Sequence, residues 1–290
     1  VKQILVLLNP KSRSGADAQT EAIETFQKLG YAIIQPPAGE GKVDVNALIL
    51  KYRNQIDCVL IGGGDGSVNE ALPALVQTQL PLLLFPLGTA NNLARTYQLP
   101  SNMSECAKLL QTGQTIQIDL GTVNDIYFVN VAGIGFSAKI NRSVSGGLKK
   151  YFGVFAFILT ALQLALKARP FRATITCDNQ KVQSLSWQIS VCNGRHYGSG
   201  LTIQEDATLQ DQLLHCLSLE IRSLWHGLGL IPALHTGRYR ERHSVSLVVG
   251  KQLLIETPHP KDIDVDGDIR TKTPARFAVH PGLLKMIVPQ

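Results

Sequence analysis

The sequence predicts an α/β protein of two domains: an N-terminal three-layer α/β domain built on a parallel sheet, followed by a C-terminal β-sandwich domain. Three observations predict it. Up to about residue 120 short β-rich runs alternate with helical stretches, which is the mark of βαβ units. Beyond Asp119 the texture changes to short β runs separated by turn residues, as in antiparallel sandwiches. Two of the early apolar runs end in glycine-rich turns, Gly62-Gly63-Gly64-Asp65-Gly66-Ser67 and Gly88-Thr89-Ala90-Asn91-Asn92. In parallel sheets, ligands gather at that carboxyl end of the strands.

In chain order, strands are expected at 3–8, 32–35, 58–61, 82–85 and 115–118, with helices at 17–28, 46–52, 68–76 and 103–110. The second domain offers β runs at 126–131, 173–176, 186–192, 214–219, 245–248 and 252–256, interrupted by helices at 148–168 and 224–235. The boundary is expected near residue 122, giving an N-terminal domain of 1–122 and a sandwich of 123–279. No repeat or low-complexity tract is visible.

With 44% hydrophobic and 17% charged residues, the 290-residue chain can bury a large core. Its five cysteines are scattered without a Cys-x-x-Cys pair, so neither a disulfide frame nor a zinc knuckle is indicated. The apolar run at the amino terminus reads as a buried strand, too short for a signal-peptide core, and with the scattered cysteines a cytoplasmic location is expected. The net charge of +6 is unevenly placed: between Ile126 and Cys177 there is no Asp or Glu, but there are Lys139, Arg142, Lys149, Lys150, Lys167, Arg169 and Arg172. Residues 152–166 are nearly all apolar, and at helical rise they reach about 22 Å, short of a hydrocarbon core of roughly 30 Å. They read as a buried helix, or as one that also touches an anionic membrane surface through its basic flanks. A nucleic-acid partner is disfavoured, because no basic stripe is interleaved with stacking aromatics.

The glycine turns carry the first chemical signal. Glycines let backbone N–H groups face an anion and a following helix start adds positive dipole, so a nucleotide phosphate is the expected guest. Ser67-Val68-Asn69-Glu70 has the form of a capping box, in which Ser67 caps the helix and Glu70 reaches back. A turn alone could also account for Asp65, as the lesser reading. The turn lacks the Lys-Ser or Lys-Thr ending of a P-loop and the spacing of a dinucleotide fingerprint. Near the C-terminus, Asp262-Ile263-Asp264-Val265-Asp266-Gly267-Asp268 matches the start of an EF-hand loop, but its twelfth position is Thr273 and prolines deny it flanking helices. It reads as a half-buried strand entering a turn at Gly267.

Taken together, Asn9-Pro10, Gly63-Gly64-Asp65-Gly66-Ser67-Val68-Asn69-Glu70, Gly88 to Arg95, Asp119-Leu120-Gly121, Asn130 to Gly135, Ala207 to Asp211 and Val265 to Asp268 resemble the diacylglycerol kinase catalytic-domain family of bacterial lipid kinases, related to sphingosine kinases and NAD kinases. The resemblance spans nearly the whole chain. It implies an ATP- and Mg²⁺-dependent lipid kinase that passes the γ-phosphate to a lipid hydroxyl, most simply that of diacylglycerol, to give phosphatidic acid. It also implies that a final strand at about 284–288 returns residues 280–290 to the first domain. The nucleotide would be held by Asn9, Gly63, Gly64, Asp65, Gly66, Ser67, Asn69, Gly88, Thr89, Asn91 and Asn92. Asp119 and Arg95 would join Asp65 around the phosphates and the catalytic metal, and Asp266 or Asp268 would be the general base. A second, structural metal would use the Asp211 carboxylate with the carbonyls of Thr208 and Leu213.

The chain departs from the family pattern at several places. Asn92 stands where many members have Asp, Asp268 where Glu is more usual, and Gln212 where a Gly follows the structural-metal Asp; the loop 36–42 lacks a nucleotide-contacting Thr. Two other readings stay open: a soluble NAD-kinase-like enzyme, and a non-catalytic lipid-binding or regulatory protein on the same fold. The expected partners are a lipid substrate and the anionic inner face of a membrane. A homodimer is compatible with the sequence.

Overall fold

A computed structural model describes residues 3–8, 15–36, 44–138, 169–178, 180–197, 201–220, 236 and 245–290. The chain divides into two compact units, Val1–Leu120 with Pro281–Gln290, and Gly121–His280. The helices expected at 148–168 and 224–235 lie outside the described residues.

The first unit alternates strand and helix: β1 (Gln3–Leu8), α1 (Gly15–Lys28), β2 (Ala32–Ile34), α2 (Val45–Tyr52), β3 (Cys58–Gly63), α3 (Asp65–Thr78), β4 (Leu82–Pro86), α4 (Asn92–Thr96), α5 (Met103–Thr112) and β5 (Gln114–Val123). Its sheet runs in the order β2-β1-β3-β4, with every pairing parallel. The C-terminal end of the last strand joins alongside β4, pairing Met286 with Leu82. Ile4, Leu5, Leu60, Leu82 and Leu83 are fully buried, which is why these strands read as unbroken apolar runs. α1 buries Ala18, Ala22 and Phe26, a four-residue repeat that faces one helical side inward. α5 starts at Asn102, whose side-chain oxygen accepts from the N–H groups of Ser104 and Glu105 at 2.9 and 3.2 Å.

α3 contains Pro73, which has no N–H and would weaken a free helix. The repair comes from α2. Asn46 donates its amide to the carbonyl of Glu70 at 2.7 Å and accepts from the N–H of Ala74 at 3.0 Å, bridging the two backbone groups beside the proline.

The second unit comprises β6 (Ile126–Phe128), β7 (Val131–Gly135), β8 (Phe171–Cys177), β9 (Gln180–Ser186), β10 (Gln188–Cys192), β11 (His196–Tyr197), β12 (Leu201–Thr202), β13 (Leu214–Leu219), β14 (Val245–Gly250), β15 (Gln252–Glu256), β16 (Asp262–Val265), β17 (Asp268–Lys272) and the start of β18 (Ala275–Val288), whose end from Pro281 belongs to the first unit. One sheet is antiparallel in the order β14-β13-β10-β7-β16-β17; the other contains β18-β15-β8-β9. Ile134, Ile189, Val191 and Ile263 of the first meet Ile175, Ile255 and Phe277 of the second in one buried cluster. This is sandwich packing, each fully buried aliphatic side chain contributing about 1.5–3 kcal/mol. The five cysteines are free and buried, and burial pushes the thiols of Cys58, Cys106 and Cys216 up to about 12. They are packing residues with no thiolate to offer.

Asn46→Ala removes both halves of the bridge across Pro73 and leaves two backbone groups without partners. Urea denaturation should show a loss of about 1–3 kcal/mol, whereas an exposed substitution such as Lys51→Ala on the same helix should change stability by less than about 0.5 kcal/mol.

Candidate active site

β3 ends at Gly63, and Gly64, in extended conformation, is the N-cap of α3. The helix therefore begins at Asp65, earlier than the sequence suggests. The capping-box reading is corrected here: Ser67 occupies the third helical position and the cap makes no side-chain hydrogen bond. The N–H groups of Ser67 and Val68 return to the Gly64 carbonyl at 3.0 and 3.3 Å. Those of Asp65 and Gly66 precede any such acceptor and have no intrahelical partner, so they open the helix with donor capacity among the described residues.

The second glycine turn lies against the first. The Leu87 N–H donates to the Gly63 carbonyl at 3.0 Å. A Cβ placed on Gly88 would come within 2.5 Å of the Gly64 Cα and 2.6 Å of Asn91 Oδ1, so the two backbones touch and only glycine fits there. Asn91 closes its own loop, accepting from the Gly88 N–H at 3.0 Å and donating to the Gly88 carbonyl at 2.9 Å. Asp65 joins the turns. Its two carboxylate oxygens accept from the N–H groups of Asn92 and Leu93, at 3.0 and 3.1 Å, and so cap α4 from 27 residues away. A carboxylate at a helix start also complements the helix dipole. By contrast, Gly66 has helical backbone and open space around it: a Cβ there meets nothing within 4 Å among the described residues.

Asn92, beside this cap, is 7% exposed, and its Oδ1 is buried with no hydrogen-bond partner among the described residues. Asn69 is buried on α3, Thr89 is exposed in its loop, and Arg95 is exposed at the end of α4. Asp119 is 3% exposed and accepts from the Gly282 N–H at 2.8 Å, so its carboxylate holds the returning C-terminal segment to β5. Burial, then the Asp119 charge, pushes the Tyr97 phenol well above its ordinary range. Asn9 lies outside the described residues.

The remaining candidates belong to the second unit. β16 and β17 form a hairpin whose two turn residues, Asp266 (φ 46°) and Gly267 (φ 104°), both have left-handed backbone, the geometry that Asp-Gly suits. Asp266 turns back into the fold. Its carboxylate accepts from the N–H groups of Val129, Asn130 and Val131 at 2.8, 3.0 and 2.9 Å, so it is an anchor for the start of β7. Asp264 is buried, which departs from the expected alternation of buried and exposed positions. Asp268 is exposed at the first position of β17.

Asp211 sits in the loop before β13. Its Oδ2 accepts from the Thr208 N–H at 2.9 Å and lies 3.1 Å from His215 Nε2; its Oδ1 accepts from the Leu213 N–H at 2.9 Å. Burial alone would raise this carboxyl, but the bonds from His215, Thr208 and Leu213 outweigh it and hold the group below the usual carboxylate range. The stabilisation is full above the unfolded pKa near 3.9 and is lost as pH falls through the lower folded value. No group of three His, Cys, Asp or Glu side chains suited to a metal occurs among the described residues. As a hard-cation cage, Thr208, Asp211 and Leu213 do not fit. The carboxylate is already turned to three donors, where such a cation needs six or more oxygens.

The glycine cradle and the unpartnered Asn92 oxygen do suit a phosphate group with an associated cation. Comparison with known proteins gives the family. Residues 3–123 match the family model of the diacylglycerol kinase catalytic domain, and residues 130–288 that of the YegS C-terminal NAD kinase beta sandwich-like domain. The chain is 30% identical over 290 residues to a Klebsiella pneumoniae protein named "Probable lipid kinase YegS-like", covering 98% of this chain and 95% of that one. It is 29% identical over 304 residues to a Mycobacterium tuberculosis protein named diacylglycerol kinase, covering 100% of this chain and 96% of that one. The fold is shared with a solved diacylglycerol kinase structure from Bacillus anthracis str. Sterne, with a TM-score of 0.78, 23% identity, and coverage of 99% and 96% of the two chains. The class is that of the lipid kinases. The chain belongs to the diacylglycerol kinase catalytic-domain family.

Two substitutions test this geometry. Asp266→Asn turns one N–H acceptor into a donor facing another donor, and should lower unfolding stability by about 2–3 kcal/mol in a denaturant titration. Gly88→Ala forces apart two touching backbones and should lower it by about 1–3 kcal/mol.

Proposed function

We propose that this protein is an ATP- and Mg²⁺-dependent kinase that phosphorylates a lipid hydroxyl, with diacylglycerol as acceptor and phosphatidic acid as product. The observation that carries the reading is the pair of touching glycine turns, locked by Asp65, at the open first turn of α3. The N–H groups of Asp65 and Gly66 would receive the phosphates, with Gly63, Gly64, Ser67 and Asn69 shaping that turn and Gly88, Thr89 and Asn91 the neighbouring one. Asn9 and Arg95 would complete the phosphate contacts. Asn92 Oδ1 and, through its carboxylate, Asp119 are the groups we assign to Mg²⁺. When bound, Mg²⁺ would neutralise charge on the phosphates.

Phosphoryl transfer asks chiefly for alignment and charge stabilisation, with one positioned base. Asp266 is committed to three backbone N–H groups, which favours Asp268 as that base. In the step, the lipid hydroxyl oxygen bonds to the γ-phosphorus as the bond to the bridging oxygen of ADP breaks, and the hydroxyl proton passes to the Asp268 carboxylate. A cavity of about 320 Å³ in the second unit, lined in part by Phe136, Phe171 and Trp187 with Arg169, Lys261 and Lys272, is our candidate for the lipid. Its aromatic walls suit an acyl chain and its cations suit an anionic membrane surface. No described helix is long and apolar enough to cross a membrane, in keeping with a peripheral approach to the substrate.

Incubation with γ-labelled ATP, Mg²⁺ and either diacylglycerol vesicles or NAD tests the assignment. Labelled phosphatidic acid is the expected product; label in NAD alone, or lipid binding without transfer, would contradict it. Asp268→Asn should lower kcat by roughly 10²–10⁴-fold while leaving thermal stability and ATP binding near those of the parent. Retention of full kcat would remove Asp268 from the role.

A further inference from the structure

The donors around Asp211 point to a substitution of one kind of bond for another. We propose that His215 does the work of a structural cation, so that the loop 204–213 is held by the His215–Asp211 hydrogen bond and takes no metal. His215 is 3% exposed on β13, and its two ring nitrogens face two side chains of the loop: Nε2 lies 3.1 Å from Asp211 Oδ2, and Nδ1 lies 3.1 Å from Gln204 Oε1. An ionised carboxylate can only accept, so Nε2 carries the hydrogen. Nδ1 is then an acceptor, and Gln204, with its amide NH₂ turned toward the ring, donates to it from the other side.

Three features favour this bond over a cation. Asp211 Oδ2 already receives two donors and Oδ1 one, so three of about four lone-pair directions on the carboxylate are in use. A ring N–H aimed at the carboxylate presents positive charge where a cation would have to sit. Thr208 and Leu213, the residues whose carbonyls would complete a metal site, already spend their N–H groups on the carboxylate that such a cation would need. The loop bends sharply between them, with Gln212 in left-handed backbone at φ 61°. The arrangement is also fixed from below, because Ala207 packs with Cys192, Ile203 and Leu217 in a small core cluster. His215 thereby ties an exposed loop to β13 without a diffusible partner.

The inference is independent of the kinase reading, and its test contains no nucleotide. Purified protein is passed through chelating resin, its bound metal is counted by mass spectrometry, and its melting temperature is followed with EDTA, then with millimolar Mg²⁺ or Ca²⁺. The proposal expects no stoichiometric metal and a melting temperature unchanged within about 1 °C in all three conditions. One bound equivalent whose removal lowers the melting temperature would overturn it. His215→Ala should melt lower by roughly 5 °C or more, and His215→Gln, whose amide can still donate to Asp211, should recover most of that loss. If both variants melt like the parent, the proposal fails. If His215→Ala does not fold, the parent's metal content and the Gln variant decide the matter.

Discussion

The Asp65 carboxylate, bound to the N–H groups of Asn92 and Leu93, is the constraint on which the first unit's site depends. Without it α4 would begin with unmet donors, since Asn91 has left-handed backbone and caps nothing with its side chain. With it, the turn after β4 is drawn against the turn after β3 until only glycine can stand between them. Asp65 therefore faces sideways, into protein. The anion-receptive donors it leaves unclaimed are those of the α3 start.

The same device recurs. Asp266 holds the N–H groups of 129–131, Asp211 those of Thr208 and Leu213, and Asp119 that of Gly282. A carboxylate accepting backbone N–H bonds fixes a turn, in each case across a loop that regular secondary structure does not satisfy. This division of labour separates architecture from chemistry. Of the acidic residues that the motifs gather, Asp65, Asp211 and Asp266 turn their carboxylates to backbone N–H groups, Asp119 also accepts from Gly282, and Asp268 is exposed.

Much of this was legible in the sequence. The apolar runs at 3–8, 58–61 and 82–85 could be read as strands because both their faces are buried, and the glycine turns marked the carboxyl end of the sheet. The two-domain α/β and sandwich architecture followed from the change in periodicity after Asp119. Other features were hidden because long-range pairing creates them. β5 runs on to Val123, and β18 extends over 275–288, far beyond the short final strand, because partners in both units prolong them. The Ser67–Glu70 capping box misled because Gly64, extended and without a side chain, can start the helix itself. The bonds from Asp65 to Asn92 and Leu93 were hidden because those partners lie 27 and 28 positions away, and nothing in the motif marks His215 as the partner of Asp211.

Gly66 offers the most direct measurement of the central claim, that the first turn of α3 is kept open for phosphate. Alanine meets no described residue there and helix propensity favours it, so the described residues supply no packing reason for glycine. Gly66→Ala should therefore melt at or slightly above the parent temperature and yet bind Mg-ATP at least about tenfold more weakly by calorimetry, a loss of roughly 1.4 kcal/mol. Parental ATP affinity in a well-folded Gly66→Ala protein would contradict the account.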